Sequence, residues 1–152
     1  MPTYVCSIPA GLLTAAQKTA IAEAISRIHS EATGAPRFFV QTVIDEKDTS
    51  QRFLGVQPAT GHIWVRGDIR AGRTAAQRET LMLNMVKAIS DIAGVDRNSI
   101  WVYLCNLEPT DMVEYGHVLP VAGEEQAWFE KLPRSLQQYL AGLGTKKDEF
   151  TL

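Results

Sequence analysis

The tetrapeptide Thr-Ala-Ala-Gln occurs twice in the chain, at residues 14–17 and at residues 74–77. In each copy the threonine hydroxyl can accept a hydrogen bond from a free backbone N–H while the glutamine reaches back to the cap, which is typical of a helix start. Apolar residues with helical spacing follow each copy; they are Ile21, Ile25 and Ile28 in the first and Leu81, Met85, Ala88, Ile89 and Ile92 in the second. A glycine follows each stretch, Gly34 in the first and Gly94 in the second, and glycine is common at a helix C-terminus. The sequence therefore predicts two capped amphipathic helices.

Apolar, β-rich segments flank both predicted helices. Residues 3–7 and 63–70 precede them, and residues 38–44 and 100–105 follow the two glycines. Because short β-α-β crossovers favour parallel strands, we predict an α/β (α+β) fold in which tandem β-α-β repeats form a four-stranded sheet with both helices on one face. The other face mixes polar and aromatic side chains of the third strand, which are His62, Trp64, Arg66, Asp68 and Arg70. Other subunits usually cover such a partly bare face, so we expect a homo-oligomer.

The 152 residues, 45% of them hydrophobic, fit one ordinary domain. We expect a single domain over residues 1–152, made of a first half (2–60), a second half (61–119) and a C-terminal extension (120–152). Within the extension we predict two short helices, at residues 124–131 and 134–140. The polar stretch that follows, residues 144–152, is expected to be mobile.

Composition and charge narrow the class of protein. Fifteen Lys and Arg against seventeen Asp and Glu give a net charge of −2, which argues against a nucleic-acid partner. The two cysteines, Cys6 and Cys105, are too few for a disulfide framework and favour a reducing compartment. The sequence contains neither a membrane-length apolar run nor a signal-peptide pattern. We therefore expect a cytoplasmic protein with no membrane partner.

Standard nucleotide, hydrolase and metal motifs are absent, and the three histidines do not have metal-ligand spacing. Pro2 is nevertheless a candidate acid–base group, because removal of Met1 would expose a proline secondary amine. A free α-amine has a pKa of about 7.7–8.0 and exchanges protons near neutral pH. With Met1 attached, the same nitrogen is a tertiary amide with no proton and no basic lone pair. The alternative interpretation is that Pro2 is only the rigid first residue of a strand.

Arg70 and Arg73 flank Gly72, where the third strand turns into the second helix. Two guanidiniums at a helix N-terminus suit a small carboxylate. His29, at the end of the first helix, can donate a hydrogen bond to the same anion. The alternatives are solvated arginines paired with surface acids and a structural histidine.

Two further candidates lie in the second half. Tyr103 alternates with Val102 and Leu104 and so projects from the opposite face of the sheet. Glu114 lies in a predicted loop, residues 111–116, where a carboxylate can activate a water molecule. An interface tyrosine and a solvated glutamate are the plainer interpretations of these two residues.

With these residues in this order, the sequence resembles the tautomerase superfamily, and within it the cis-3-chloroacrylic acid dehalogenase group. The resemblance runs over nearly the whole chain. Its most specific parts are Pro2 and the segments 70–73, 100–103 and 112–116. It implies a homotrimer, a catalytic amino-terminal proline and no cofactor.

The resemblance also implies a role for each candidate residue. Pro2 would be the acid–base amine. The substrate carboxylate would be bound by Arg70 and Arg73, with His29 assisting. Tyr103 and Glu114 would position and deprotonate a water molecule.

Three hypotheses about function follow. The first is an enzyme that hydrates small unsaturated carboxylates or hydrolytically dehalogenates their 3-halo forms, with accompanying keto–enol tautomerisation. The second is a dedicated tautomerase of 2-keto acids such as phenylpyruvate, in which Tyr103 and Glu114 only line the pocket. The third is a non-catalytic trimeric scaffold with its N-terminus buried in a strand.

Overall fold

The computed structural model describes residues 2–143. Its strands are β1 (Thr3–Pro9), β2 (Gln41–Lys47), β3 (Phe53–Leu54), β4 (Gln57–Pro58), β5 (Ile63–Arg70), β6 (Ile100–Leu107), β7 (Val113–Glu114) and β8 (His117–Val118). Its helices are α1 (Ala15–Thr33), α2 (Ala75–Ala93), α3 (Glu125–Glu130) and α4 (Arg134–Ala141).

The main sheet has the strand order β2-β1-β5-β6. Strands pair in parallel within each half, β1 with β2 and β5 with β6, whereas the central pair β1–β5 is antiparallel. Both long helices contribute to a single hydrophobic cluster against one face of the sheet. The predicted fold of tandem β-α-β repeats is therefore confirmed.

Elements of the two halves correspond at a constant spacing of sixty residues. Helix α2 follows α1 at this spacing, and the hairpin β7–β8 follows the hairpin β3–β4. Short 3₁₀ turns precede the hairpins at equivalent positions, Thr49–Gln51 and Pro109–Asp111. The repeat therefore extends well beyond the duplicated tetrapeptide.

Both predicted capping boxes form. The backbone N–H groups of Gln17 and Gln77 donate to the hydroxyls of Thr14 and Thr74, at 3.2 and 3.1 Å. The glutamine side chains also join the two helices, because Gln17 Nε2 donates to the Ile92 carbonyl at 2.9 Å and Gln77 Nε2 donates to the carbonyl of Ala32 in α1. Each repeated motif thus caps its own helix and contacts the end of the other helix.

The strand predicted at residues 38–44 is displaced. Strand β2 begins only at Gln41, and Arg37–Phe39 forms a 3₁₀ turn after Pro36. Phe38 and Phe39 are buried in a second hydrophobic cluster, with residues of the C-terminal extension. These two apolar side chains therefore pack against the C-terminal extension and do not belong to a strand of the sheet.

The C-terminal extension forms the two short helices that the sequence predicts. Helices α3 and α4 lie at the predicted positions, and Phe129 and Leu140 bury their side chains in the second cluster. The stretch 144–152, expected to be mobile, lies outside the described residues.

The sheet face away from the helices exposes large apolar side chains. Trp101 and Tyr103 of β6 are exposed, as is Val43 of β2, which agrees with the expected bare face. His62 and Arg70, also expected on this face, are buried. Over residues 2–143, no helix has the length and apolar character needed to cross a lipid bilayer.

Gly67 in β5 leaves room for the ring of Tyr4. A Cβ atom at this position would lie 2.4 Å from Tyr4 Cε1 and 2.9 Å from Leu104 Cδ2. Since Tyr4 is fully buried, we expect Gly67→Ala to lower the free energy of unfolding by about 1–3 kcal/mol through overpacking, measured by urea denaturation. Gly61→Ala is the control, because nothing lies within 4 Å of the added Cβ. Equal stability of the two variants would contradict this account.

Candidate active site

The candidate groups of the first strand and of the arginine turn meet where β1 begins and β5 ends. These strands are antiparallel, with Thr3 opposite Asp68, so Pro2 lies beside the last residues of β5. Pro2 is buried, and its carbonyl oxygen accepts a hydrogen bond from the backbone N–H of Gln41 at 3.0 Å. The start of the chain therefore lies beside the turn between β5 and α2, which carries Arg70 and Arg73.

Arg70, the last residue of β5, is held by the C-terminal extension. Its side chain is 4% exposed, and Nη1 donates to the carbonyl oxygens of Pro120 at 2.5 Å and Val121 at 3.4 Å. Nη2 forms an ion pair with Glu125. Burial alone would raise the pKa of Glu125, but hydrogen bonds from backbone N–H groups and Arg70 outweigh it and hold this pKa below its usual value. The Glu125 carboxylate is therefore ionised at neutral pH and offsets the charge of Arg70.

Arg73 is buried without comparable compensation. Among the residues that the structure describes, none accepts a hydrogen bond from its Nε atom. Burial and the neighbouring charge of Arg70 lower the pKa of Arg73, with Glu125 and Tyr4 acting in the opposite direction. A buried cation is costly unless it is paired, so this guanidinium is suited to receive an anionic group.

Tyr4 and His29 form a buried hydrogen bond near the arginines, with 2.8 Å between Tyr4 Oη and His29 Nδ1. Burial and the positive charge of Arg73 lower the pKa of His29 to about 3, so the imidazole is neutral at physiological pH. Burial raises the pKa of Tyr4, so the phenol keeps its proton. If Tyr4 donates to Nδ1, the imidazole proton is on Nε2, and this N–H remains available for a ligand.

Glu114 lies in the hairpin β7–β8, opposite His117, and not in the irregular loop that the sequence predicts. The turn has positive φ at Tyr115 (52°) and Gly116 (80°), the combination that tight hairpins require. Burial raises the pKa of Glu114, and the positive charge of Arg70 opposes this rise. The carboxylate is thus electrostatically linked to the arginine turn.

A cavity of about 540 Å³ opens beside Glu114. Phe38, Phe39 and Tyr115 supply aromatic walls, and Thr3 at the start of β1 contributes to the lining. The hydroxyl of Tyr115 donates to the carbonyl of Phe38 at 3.2 Å, which ties the hairpin to the 3₁₀ turn. The second hydrophobic cluster therefore shapes this cavity.

Tyr103 lies apart from the other candidates within one chain. It pairs with Arg66, whereas Arg70 pairs with Leu107. Four residues along a strand correspond to about 13 Å. Tyr103 is 52% exposed on the bare sheet face, where it lines a separate cavity of about 340 Å³ together with Trp64 and other residues.

The sequence analysis did not identify two residues of this region, Tyr4 and Glu125. Tyr4 carries no signal beyond alternation within a strand. Glu125 follows Glu124 in a polar stretch and is 55 residues from its ion-pair partner Arg70. Within residues 2–143, no three His, Cys, Asp or Glu side chains cluster as metal ligands would.

The comparisons with known proteins define the class of this fold and site. Residues 1–132 match the family model described as "Putative oxalocrotonate tautomerase enzyme", and the chain therefore belongs to the tautomerase superfamily. Within it, the chain belongs to the cis-3-chloroacrylic acid dehalogenase group. It is similar to the crystal structure of N1, a member of that family, with 34% identity, a TM-score of 0.89, and coverage of 93% of this chain and 99% of that one.

More distant structures extend the comparison. A fused 4-OT, described as a wild-type symmetric trimer, is 27% identical with a TM-score of 0.73, over 79% of this chain and 97% of that one. Macrophage migration inhibitory factor of Toxoplasma gondii is 18% identical with a TM-score of 0.66, over 77% of this chain and 99% of that one, and shows the fold alone. A sequence comparison with curated proteins finds no significant match.

Proposed function

We propose that the protein is a cofactor-independent enzyme that adds water to small unsaturated carboxylates, releases halide from cis-3-halo substrates, and also catalyses keto–enol tautomerisation. The observation that carries this proposal is the buried guanidinium of Arg73, whose Nε atom has no hydrogen-bond acceptor within the described residues, in the turn that follows β5 beside Pro2. The similarity to a member of the cis-3-chloroacrylic acid dehalogenase family supports the same chemistry.

The reaction starts with the substrate carboxylate on Arg73, near Arg70 and the Nε2–H of His29. These groups draw electron density from the double bond and make the β-carbon electrophilic. Water then forms a bond to the β-carbon while Glu114 takes its proton. The π electrons move toward the carboxylate, and the arginines stabilise the resulting enediolate, a contribution typically worth several kcal/mol.

The second step requires a proton at the α-carbon. The protonated Pro2 amine delivers it and becomes neutral. The product of this addition to a cis-3-haloacrylate is a halohydrin, which loses the halide and a proton to give malonate semialdehyde. This step requires that Met1 has been removed, because a Pro2 amide nitrogen carries no transferable proton.

Tyr103 can join this site only from another copy of the chain. About 13 Å of strand separates it from the end of β5 in its own chain, and it lies on the exposed face of the sheet. We therefore place it in a neighbouring subunit's site within a homotrimer, the assembly named for the fused 4-OT structure. There its hydroxyl would help to hold the attacking water.

A dedicated 2-keto acid tautomerase is the second candidate function, and the electrostatics of the arginine turn favour it. Two buried cations near the start of the chain lower the pKa of a neighbouring amine and so favour its neutral form. A neutral Pro2 amine is a base that removes a proton α to a carbonyl, which is the tautomerase reaction.

Glu114→Gln separates the two functions. The amide cannot accept the proton of the attacking water, so we expect hydration of cis-3-chloroacrylate to fall at least about 100-fold. Tautomerisation of phenylpyruvate needs no activated water and should largely survive. Both rates are measured by absorbance, with Glu108→Gln, in the preceding loop, as the control. Equal losses of both activities would contradict the role given to Glu114.

A further inference from the structure

The C-terminal extension packs directly on the arginine turn. Gly72 has a φ of +105°, and a Cβ atom added there would lie 3.4 Å from the Cβ of Ala122. The next residue, Gly123, donates its backbone N–H to Glu125 Oε2 at 2.9 Å. This backbone hydrogen bond fixes one carboxylate oxygen and leaves the other directed at Arg70.

The ion pair between Glu125 and Arg70 is largely shielded from solvent. The side chain of Arg70 is 4% exposed and that of Glu125 is 15% exposed. The exposed ion pairs of the helices, such as Arg27 with Glu31, have side chains that are 46% and 61% exposed. Screening by water is weaker at the buried pair, so its charges act more strongly on neighbouring groups.

We propose that Glu125 is a positioning residue that fixes the guanidinium of Arg70 and, by offsetting its charge, keeps the Pro2 amine protonated enough to act as an acid. This inference rests on the proposed function, since it concerns the group that transfers the proton. It assigns a role to the extension, which lies outside the repeated halves.

The sign of the effect follows from the charges around the start of the chain. Arg70 and Arg73 disfavour a protonated amine, as does Arg37, which lines the cavity with Thr3, whereas Glu114 favours it. His29 is neutral and contributes no net charge. Glu125 reduces the effect of Arg70, so removing its carboxylate must lower the pKa of the amine.

The test is Glu125→Gln, assayed with the full chain after intact mass confirms removal of Met1, by aminopeptidase treatment where needed. For hydration, we expect the alkaline limb of the pH profile of kcat/KM to shift to lower pH, by about half a unit to one pH unit. The acid limb of the profile for tautomerisation should move in the same direction. The KM for the carboxylate should rise in both reactions, because Arg70 loses its ion-pair partner and keeps only its hydrogen bonds to the carbonyls of Pro120 and Val121.

Two further variants separate this role from a structural one. Glu124→Gln removes the same charge from the exposed neighbouring residue and should leave both pH profiles unchanged. Glu125→Asp keeps the charge on a shorter side chain, and should restore most of the pH profile while KM stays raised. A variant that merely unfolds more easily would lose activity without moving either limb.

A direct titration decides the inference independently of turnover. The pKa of the Pro2 amine is read from the ¹⁵N chemical shift of proline-labelled protein, in wild type and in Glu125→Gln. A lower pKa in Glu125→Gln than in wild type and Glu124→Gln supports the inference. The same pKa in all three proteins overturns it, whereas absence of both activities in wild type would overturn only the proposed function.

Discussion

Pro2→Ala should lower kcat/KM about a thousandfold for both hydration and tautomerisation. Positioned acid–base groups typically contribute factors of about 10²–10⁴, and both reactions place the Pro2 nitrogen at the proton that moves to or from the α-carbon. Alanine still supplies a primary amine, so a small residual rate is expected. The rates are measured with cis-3-chloroacrylate and with phenylpyruvate, on samples whose intact mass shows that Met1 has been removed.

Pro58→Ala is the matched control for this prediction. Pro58 lies exposed in β4, in the hairpin β3–β4 of the same half of the chain, and should give wild-type rates. Acylation of the α-amine near neutral pH should reproduce the loss in the wild-type protein, since it converts the nitrogen to an amide. Full turnover by Pro2→Ala, or by protein that retains Met1, would contradict both enzymatic hypotheses and favour the non-catalytic scaffold.

The parts of the fold that the sequence predicted are those with local signals. The helices α1 and α2 begin at capping boxes and end at left-handed glycines, with φ of 72° at Gly34 and 70° at Gly94. Strand β5 lies at the predicted residues 63–70. Each of these signals acts over a few residues, so one sequence is enough to recognise it.

The parts that the sequence did not predict depend on distant segments. Phe38 and Phe39 are residue types that favour a strand. In the structure they instead pack in the second hydrophobic cluster, against Phe129 and Trp128 of α3. The ion pair of Arg70 with Glu125 and the hydrogen bond of Tyr4 with His29 are likewise long-range. A single sequence carries no signal for such pairs, and the resemblance placed His29 near the site without identifying its partner.

The repeated backbone plan does not carry a second copy of the candidate residues. The residues sixty positions away from Pro2, Arg70, Arg73 and Glu114 are His62, Ala10, Leu13 and Leu54. None of these supplies a guanidinium or a carboxylate. The four equivalent positions therefore do not repeat the charged candidates of the first site.

Arg73→Met should lower kcat/KM about a thousandfold while leaving the protein as stable as wild type or more stable. Two charge-assisted hydrogen bonds to a substrate carboxylate are worth about 4 kcal/mol together, which corresponds to roughly three orders of magnitude. Stability should not fall, because methionine keeps most of the apolar side chain and removes a buried cation whose Nε lacks a partner within the described part of the chain.

The opposite responses of activity and stability are what distinguish a ligand-binding arginine from a structural one. Both are measured on the same preparation, by steady-state kinetics and by urea denaturation. Arg27→Met, at an exposed ion pair of α1, is the control and should change neither quantity appreciably. A loss of several kcal/mol in the free energy of unfolding of Arg73→Met would show that Arg73 is bound within the protein itself. The site would then lack its receptor for the substrate carboxylate.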